Sequence, residues 1–346
     1  MKVRKTMRTI SPQNLLLLLL MSAGAMAAVG KCTGTTTAND VEQELGQDMT
    51  GRVVFATGGD SGIGLSALTA IASANATIVI ASLSPTAGGA AAKAAIVNAT
   101  GNTKVTVLPL DLSDFESVRS CAAAFAKQHD ALDVLINDAG IDHCPSSLAP
   151  ITADGFERVF QVNYLGHFLL TQQLLPALKR APAPRVINVA SGAHASACPW
   201  AAASSNCLDI SELPPPVRKP GNNTAGAPIS NYGITKFLQI YHAKELAARE
   251  TSVRAFSLEP GFVDTPMTRQ LNPQTRKNWC RFQLHCPLTA DEGGSTLAFI
   301  ALAPDDQLVT GSYYSKCATA QPKSWDATSQ KQLFDDSVKW VSAKAI

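Results

Sequence analysis

The chain has 346 residues, 46% of them hydrophobic and only 16% charged, against about 25% charged in an ordinary soluble domain. That composition excludes a disordered chain and supplies enough apolar surface for one large α/β domain or two small ones. Lys+Arg number 29 and Asp+Glu 27, a net charge of +2, which is too small for a basic field that would hold nucleic acid.

One long apolar run, Leu15–Gly30, begins with six leucines and follows Lys2, Arg4, Lys5 and Arg8. A basic head, an apolar middle and small residues match a secretory signal peptide, with Ala25-Met26-Ala27 as a cleavage site. About 16 apolar residues fall just short of a comfortable bilayer span, so a signal anchor is the alternative. The acidic residues Asp40, Glu42, Glu44 and Asp48 that follow favour a cytosolic N-terminus and a lumenal domain. Residues 1–30 are therefore expected to be a leader or anchor, directing the chain to the secretory pathway or the endoplasmic reticulum membrane. Residues 31–50 are expected to be a linker. Eight cysteines and three sequons, at Asn75, Asn98 and Asn222, bear on the same question. Disulfides Cys280–Cys286 or Cys198–Cys207 fit a lumenal domain; eight free thiols fit a tethered enzyme facing the cytosol.

From residue 52 short β-branched runs alternate with Ala-rich helical stretches. Strands are expected at Arg52–Ala56, Thr77–Ala81, Lys104–Leu108, Asp133–Asn137, Arg185–Val189, Val253–Leu258 and near Ser312–Ser315. Helices are expected at about Ile63–Ala74, Ala87–Val97, 114–128, 155–179, 231–249 and from Thr289 to before Pro304. Ser113/Glu116 and Thr289/Glu292 have capping-box spacing. Repeated β-α-β units imply one doubly wound, Rossmann-type α/β domain over 51–325, its mostly parallel sheet covered by helices on both faces. A C-terminal helix and tail over 326–346 complete it. Ala195–Ile229, with Pro214-Pro215-Pro216, reads as an excursion from that domain.

Thr57-Gly58-Gly59-Asp60-Ser61-Gly62-Ile63-Gly64 lies between the first strand and the first helix. A pyrophosphate needs a tight turn, close backbone approach and helix amides aimed at it, and this segment has that context. Tyr232 alone of the five tyrosines has a lysine four residues on, Lys236. Helical spacing puts the two on one face, where a positive charge lowers the phenol's pKa. Ser191 follows the fifth strand at the sheet edge where ligands bind, although an ordinary turn serine is the alternative. Asn163 sits within a helix, a position asparagine does not favour. His194 and His285-Cys286 do not make a metal-ligand set, so no metal is expected.

The spacing Gly-x3-Gly-x-Gly resembles the glycine loop of the short-chain dehydrogenase/reductase family. Asn163, Ser191, Tyr232 and Lys236 resemble its catalytic tetrad. The blocks Val162–Leu170, Ser191–His194, Thr152–Glu157 and Gly311–Tyr314 are similar to its retinol-dehydrogenase-like branch. The resemblance covers about residues 50–320.

That resemblance implies hydride transfer between a nicotinamide and a lipophilic alcohol, aldehyde or ketone. Tyr232 would exchange the proton, Lys236 would acidify it and hold the ribose, and Ser191 would steady the substrate oxygen. Asn163 would bend its helix and hold a relay water. Cofactor contacts would come from Thr57, Gly58, Asp60, Ser61, Gly62, Ile63 and Gly64, with Asp111 and Leu112 at the adenine. Asn137, Ala139 and Gly140 stand where the family has Asn-Asn-Ala-Gly, with Asp138 departing from it. Pro260 and Gly261 match the family's Pro-Gly segment at the cofactor, in which Thr265 and the Val263 backbone would fix the carboxamide. At Ser82, where NAD-specific relatives carry an acid, this chain has a hydroxyl and no basic neighbour. NADP(H) is therefore expected ahead of NAD(H). Substrate contacts would come from the 195–229 excursion and from Met267–Pro287, with Trp279, Phe282 and Leu284. A homodimer is compatible with the family. The rival readings are a silent NAD(P)-binding scaffold, an extended-branch epimerase or dehydratase, and a pigment reductase related to protochlorophyllide reductase.

Overall fold

Alternating apolar strands and small-residue helices dictate the architecture seen in the computed structural model, which describes residues 32–197, 213, 231–281, 285–323 and 327–342. In chain order these are α1 (Ala38–Leu45), β1 (Val53–Thr57), α2 (Gly62–Ser73), β2 (Thr77–Ser82), α3 (Ala90–Thr100), β3 (Val105–Pro109) and α4 (Phe115–Ala126). Next come β4 (Val134–Asn137) and α5, a helix made of Arg158–Phe160, the π-turn Gln161–Leu165 and Gly166–Leu178. The rest are β5 (Arg185–Val189), α6 (Asn231–Arg249), β6 (Arg254–Glu259), α7 (Pro266–Arg269), α8 (Pro273–Cys280), α9 (Ala290–Leu302), β7 (Tyr313–Ser315), β8 (Ala318–Ala320) and α10 (Ala327–Ser342).

The strands form one sheet of order β3-β2-β1-β4-β5-β6-β7-β8, parallel except for β8. Chain direction across the sheet reverses between β1 and β4, and the crevice at that switch point lies beyond their carboxyl ends. Successive side chains of a strand face opposite ways, so each buried strand feeds two cores. Phe55 and Val79 join one with α4, α5 and α6; Val54, Ala56, Ile78 and Ile80 join the other with α2 and α9.

Three local outcomes differ from the sequence-based expectation. Asp114, not Ser113, caps α4, because Ser113 is held in the Asp111 turn, where both its amide and its hydroxyl donate to Asp111 Oδ1. The sheet gains β8, a short antiparallel return after a left-handed turn at Lys316 and Cys317. Residues 31–50, expected as a linker, carry α1, whose Thr37/Asp40 capping box starts it and whose Val41 and Ala38 are buried in the second core. Thr289 and Glu292 do form the expected capping box of α9.

The N-terminal segment is also tied covalently. Cys32 pairs with Cys317 across a separation of 285 residues, and Cys280 pairs with Cys286. Cys121 and Cys144 are free thiols. The leader, the pair Cys198–Cys207, Asn222 and nearly all of the 195–229 excursion lie outside the described residues. Among the described residues no helix is long and apolar enough to cross a membrane.

A disulfide closing so long a loop constrains the unfolded chain strongly, typically by about 2–4 kcal/mol. Cys32→Ser is expected to lower Tm by about 5–10 °C. Unchanged melting of the oxidised variant and parent would show that this link contributes nothing.

Candidate active site

The glycine loop lies at the carboxyl end of β1. Gly58 and Gly62 have positive φ, +68° and +54°, which side chains resist. A Cβ at Gly58 would come within 2.7 Å of the Ala139 amide nitrogen, and one at Gly64 within 2.4 Å of the Gly58 carbonyl oxygen. Ser61 stands at the N-cap of α2 without making a side-chain cap. Ser61 thus caps none of the first-turn amides, of which Gly64 meets the Asp138 carboxylate, and a helix N-terminus beside such a turn is the arrangement that binds a pyrophosphate. The residues present fit a dinucleotide. Thr265 flanks the same loop: its methyl would be 3.2 Å from a Cβ at Gly62, while its hydroxyl caps α7. Pro260-Gly261 follows β6, with Gly261 at φ +84°, and Val263 bridges to Leu288.

Several residues expected at the cofactor turn their side chains into the protein. The Thr57 hydroxyl accepts from the amides of Asp138 and Ala139 and meets His167 Nε2 at 2.8 Å. The Asn137 amide donates to Asn188 Oδ1 and Thr171 Oγ1, pinning β4 to β5 and α5. Leu112 is buried under Gly166, and Asp111 Oδ1 closes its own turn. For Thr57, Asn137 and Leu112 any approach to a dinucleotide is through backbone atoms. Asp138, the departure from the family's pattern, aims its carboxylate at the Gly64 amide.

On the other side of the switch point, α6 presents Tyr232 and Lys236. The Tyr232 phenol hydrogen-bonds Ser191, whose Oγ accepts from the Ala193 amide at 3.1 Å. Lys236 Nζ stands 5.5 Å from the Tyr232 ring centroid and donates to Val189 O at 2.7 Å. The expected acidification of the phenol is not what the geometry gives. Desolvation pushes the Tyr232 pKa up to about 12, the Ser191 hydrogen bond opposes this, and the charges of Asp142 and Asp138 add to the rise. Burial depresses the Lys236 pKa, with Asp138 opposing; the same burial raises Asp138, with Lys236 opposing.

Asn163 lies in the π-turn of α5. Its side chain accepts from the Ile141 amide and donates to Ile141 O and Thr235 Oγ1. Its main-chain carbonyl accepts from Gln239 Nε2 at 2.8 Å and His167 Nδ1 at 3.0 Å. Burial holds the His167 pKa at about 4, so the ring is neutral, donates through Nδ1 and accepts the Thr57 proton at Nε2.

His167 and Gln239 were not expected as site residues. The histidine stands within the Val162–Leu170 block, and the glutamine follows Lys236 by one turn of α6, but only contact shows their role. His194 was considered only for metal. It is a clamp: Nδ1 meets Ser191 O at 2.7 Å, and Nε2 accepts from the Lys323 amide. Among the described residues no cluster of ligands fit for a metal occurs. Of the expected substrate contacts, Trp279 stacks on Phe262 with centroids 6.1 Å apart and an interplanar angle of 7°. Phe282 and Leu284 lie outside the described residues.

Residues 52–205 match the family described as short chain dehydrogenase. Human retinol dehydrogenase 11 is 32% identical over 320 residues, 90% of this chain and 89% of that protein. Human retinol dehydrogenase 12 is 35% identical over 272 residues, 77% and 78% of the two chains. Among solved structures, the RhlG/NADP active-site complex of Pseudomonas aeruginosa is 26% identical with a TM-score of 0.56, covering 77% of this chain and 94% of that one. Likeness at this level over most of both chains means that the protein belongs to the short-chain dehydrogenase/reductase family, in its retinol-dehydrogenase-like branch, and is an oxidoreductase that uses a nicotinamide cofactor.

Proposed function

We propose that this enzyme interconverts a lipophilic alcohol with its aldehyde or ketone, with Tyr232 as the proton-exchanging residue. The observation that carries the reading is the hydrogen-bonded Tyr232–Ser191 pair, with the Lys236 ammonium over the phenol ring, beside the glycine loop. A bound nicotinamide supplies or accepts the hydride. In carbonyl reduction the Tyr232 hydroxyl gives its proton to the substrate oxygen, and Ser191 donates a hydrogen bond to the charge that develops there. In alcohol oxidation Tyr232 takes the proton. Lys236 holds the phenol ring in place and provides the positive field beside it. Asn163 acts as a positioning residue, bracing the Ile141 backbone against α6.

The lipophilic substrate is supported by the Phe262–Trp279 stack after β6, whose outer ring is 44% exposed, and by the names of the human relatives. NADP(H) was expected from the end of β2, which contributes no acid of its own; the side chains around Ser82 bear on that choice. For the compartment, the links Cys32–Cys317 and Cys280–Cys286 favour an oxidising lumen, in line with the expected leader.

Two measurements test the reaction. Purified enzyme is screened for NADH and NADPH consumption with retinal, steroid ketones and medium-chain aldehydes, and Tyr232→Phe is run beside it. The variant is expected to lose at least about 100-fold in turnover while still binding dinucleotide; retention of a tenth of the activity removes Tyr232 from the chemistry. Binding without turnover of any substrate class by the parent would instead support the silent scaffold.

The high pKa of Tyr232 sets the pH dependence. Its phenol stays protonated through neutral pH, so kcat/KM for carbonyl reduction is expected to be flat there. Oxidation requires the phenolate, whose fraction grows about tenfold per pH unit below the pKa. A pH profile of alcohol oxidation that stays level between neutral and pH 9 would contradict this assignment.

A further inference from the structure

In a dinucleotide-binding sheet the end of the second strand meets the adenosine ribose, and an acid there hydrogen-bonds the 2′-hydroxyl. β2 ends on Ser82, whose hydroxyl is already engaged. Its Oγ donates to Asp60 Oδ2 at 2.6 Å and accepts from the Ser84 amide at 3.1 Å. Asp60 belongs to the glycine loop. A carboxylate therefore stands at the tip of β2 although β2 supplies none. The wall behind it is glycine: a Cβ at Gly88 would lie 3.5 Å from Asp60 Oδ2, and one at Gly89 would lie 3.3 Å from Ser82 Cβ and 2.5 Å from Val107 Cγ1. Leu83, the next residue, is apolar and 73% exposed. Among the described residues no lysine or arginine forms a salt bridge with Asp60.

We infer that Asp60 is the residue that selects the cofactor's ribose, accepting a hydrogen bond from the free 2′-hydroxyl of NAD(H) and repelling the 2′-phosphate of NADP(H). The inference rests on the nicotinamide-dependent reading of the site and reverses the preference drawn from β2 alone. Its reasons are two. The preference for NADP(H) needed Ser82 to donate to a phosphate, and the one proton of that hydroxyl is spent on Asp60. It also needed no negative charge nearby, and Asp60 supplies one with no cation paired to it among the described residues. A phosphate placed there would bring like charge against this carboxylate, which is unfavourable. The Ser82 hydrogen bond fixes the Asp60 rotamer, so the carboxylate is already in place when the ribose arrives.

The test is equilibrium binding, read by isothermal titration calorimetry of the full chain with NADH and with NADPH, without substrate. NADH is expected to bind at least about tenfold more tightly than NADPH. Asp60→Asn keeps the shape and removes the charge; it is expected to tighten NADPH by about tenfold and to close the gap. Ser82→Ala removes the rotamer lock but keeps the carboxylate, so NADH stays preferred. Equal or tighter NADPH binding by the parent, an unchanged ratio in Asp60→Asn, or a switch to NADPH in Ser82→Ala would each overturn the role of Asp60 while leaving the oxidoreductase intact. Failure of the parent to bind either dinucleotide would instead sink the nicotinamide reading and this inference together.

Discussion

Lys236 carries its ammonium into the interior with 3% of its surface exposed, and a buried charge is costly unless its surroundings compensate it. The compensation comes from separate parts of the fold. Val189 at the end of β5 accepts one proton, Asp138 after β4 supplies opposite charge, and the Tyr232 ring lies to one side. Satisfying a single ammonium thus draws the ends of two strands toward one face of α6. Asp138 in turn reaches the Gly64 amide, so the glycine loop is coupled to the same charge. The two opposite charges attract, so each favours the charged form of the other.

A second network, without charge, holds the parts in register. The Thr57 hydroxyl accepts from two amides of the β4 turn and donates a hydrogen bond to Nε2 of a neutral His167. That ring donates to Asn163 O, which also receives Gln239. This carbonyl lies within the π-turn of α5. The result is a chain of buried hydrogen bonds running from β1 through α5 to α6.

The covalent links act at the edges of this frame. Cys32–Cys317 fastens the segment before α1 to the turn between β7 and β8, so α1 closes over α2 and α9 as part of the domain. Cys280–Cys286 closes the short loop after α8, the helix that bears Trp279.

Local pattern was enough to define the doubly wound class, the glycine loop, the helix that carries Tyr232 and Lys236, and the capping box of α9. Each rests on near-neighbour physics: alternation along a strand, i to i+4 spacing on a helix, or a turn that only glycine allows. What depended on residues distant in the chain was not legible. The sequence showed a serine at the end of β2, and only packing brought Asp60 to it. It suggested an acidified phenol, whereas burial raised the phenol's pKa. It read 31–50 as a linker, although a cysteine 285 positions away and two helices hold it down. Composition and spacing fix which chemistry a chain has at hand; hydrogen-bond partners and desolvation, which decide how that chemistry is tuned, are set only when the chain closes on itself.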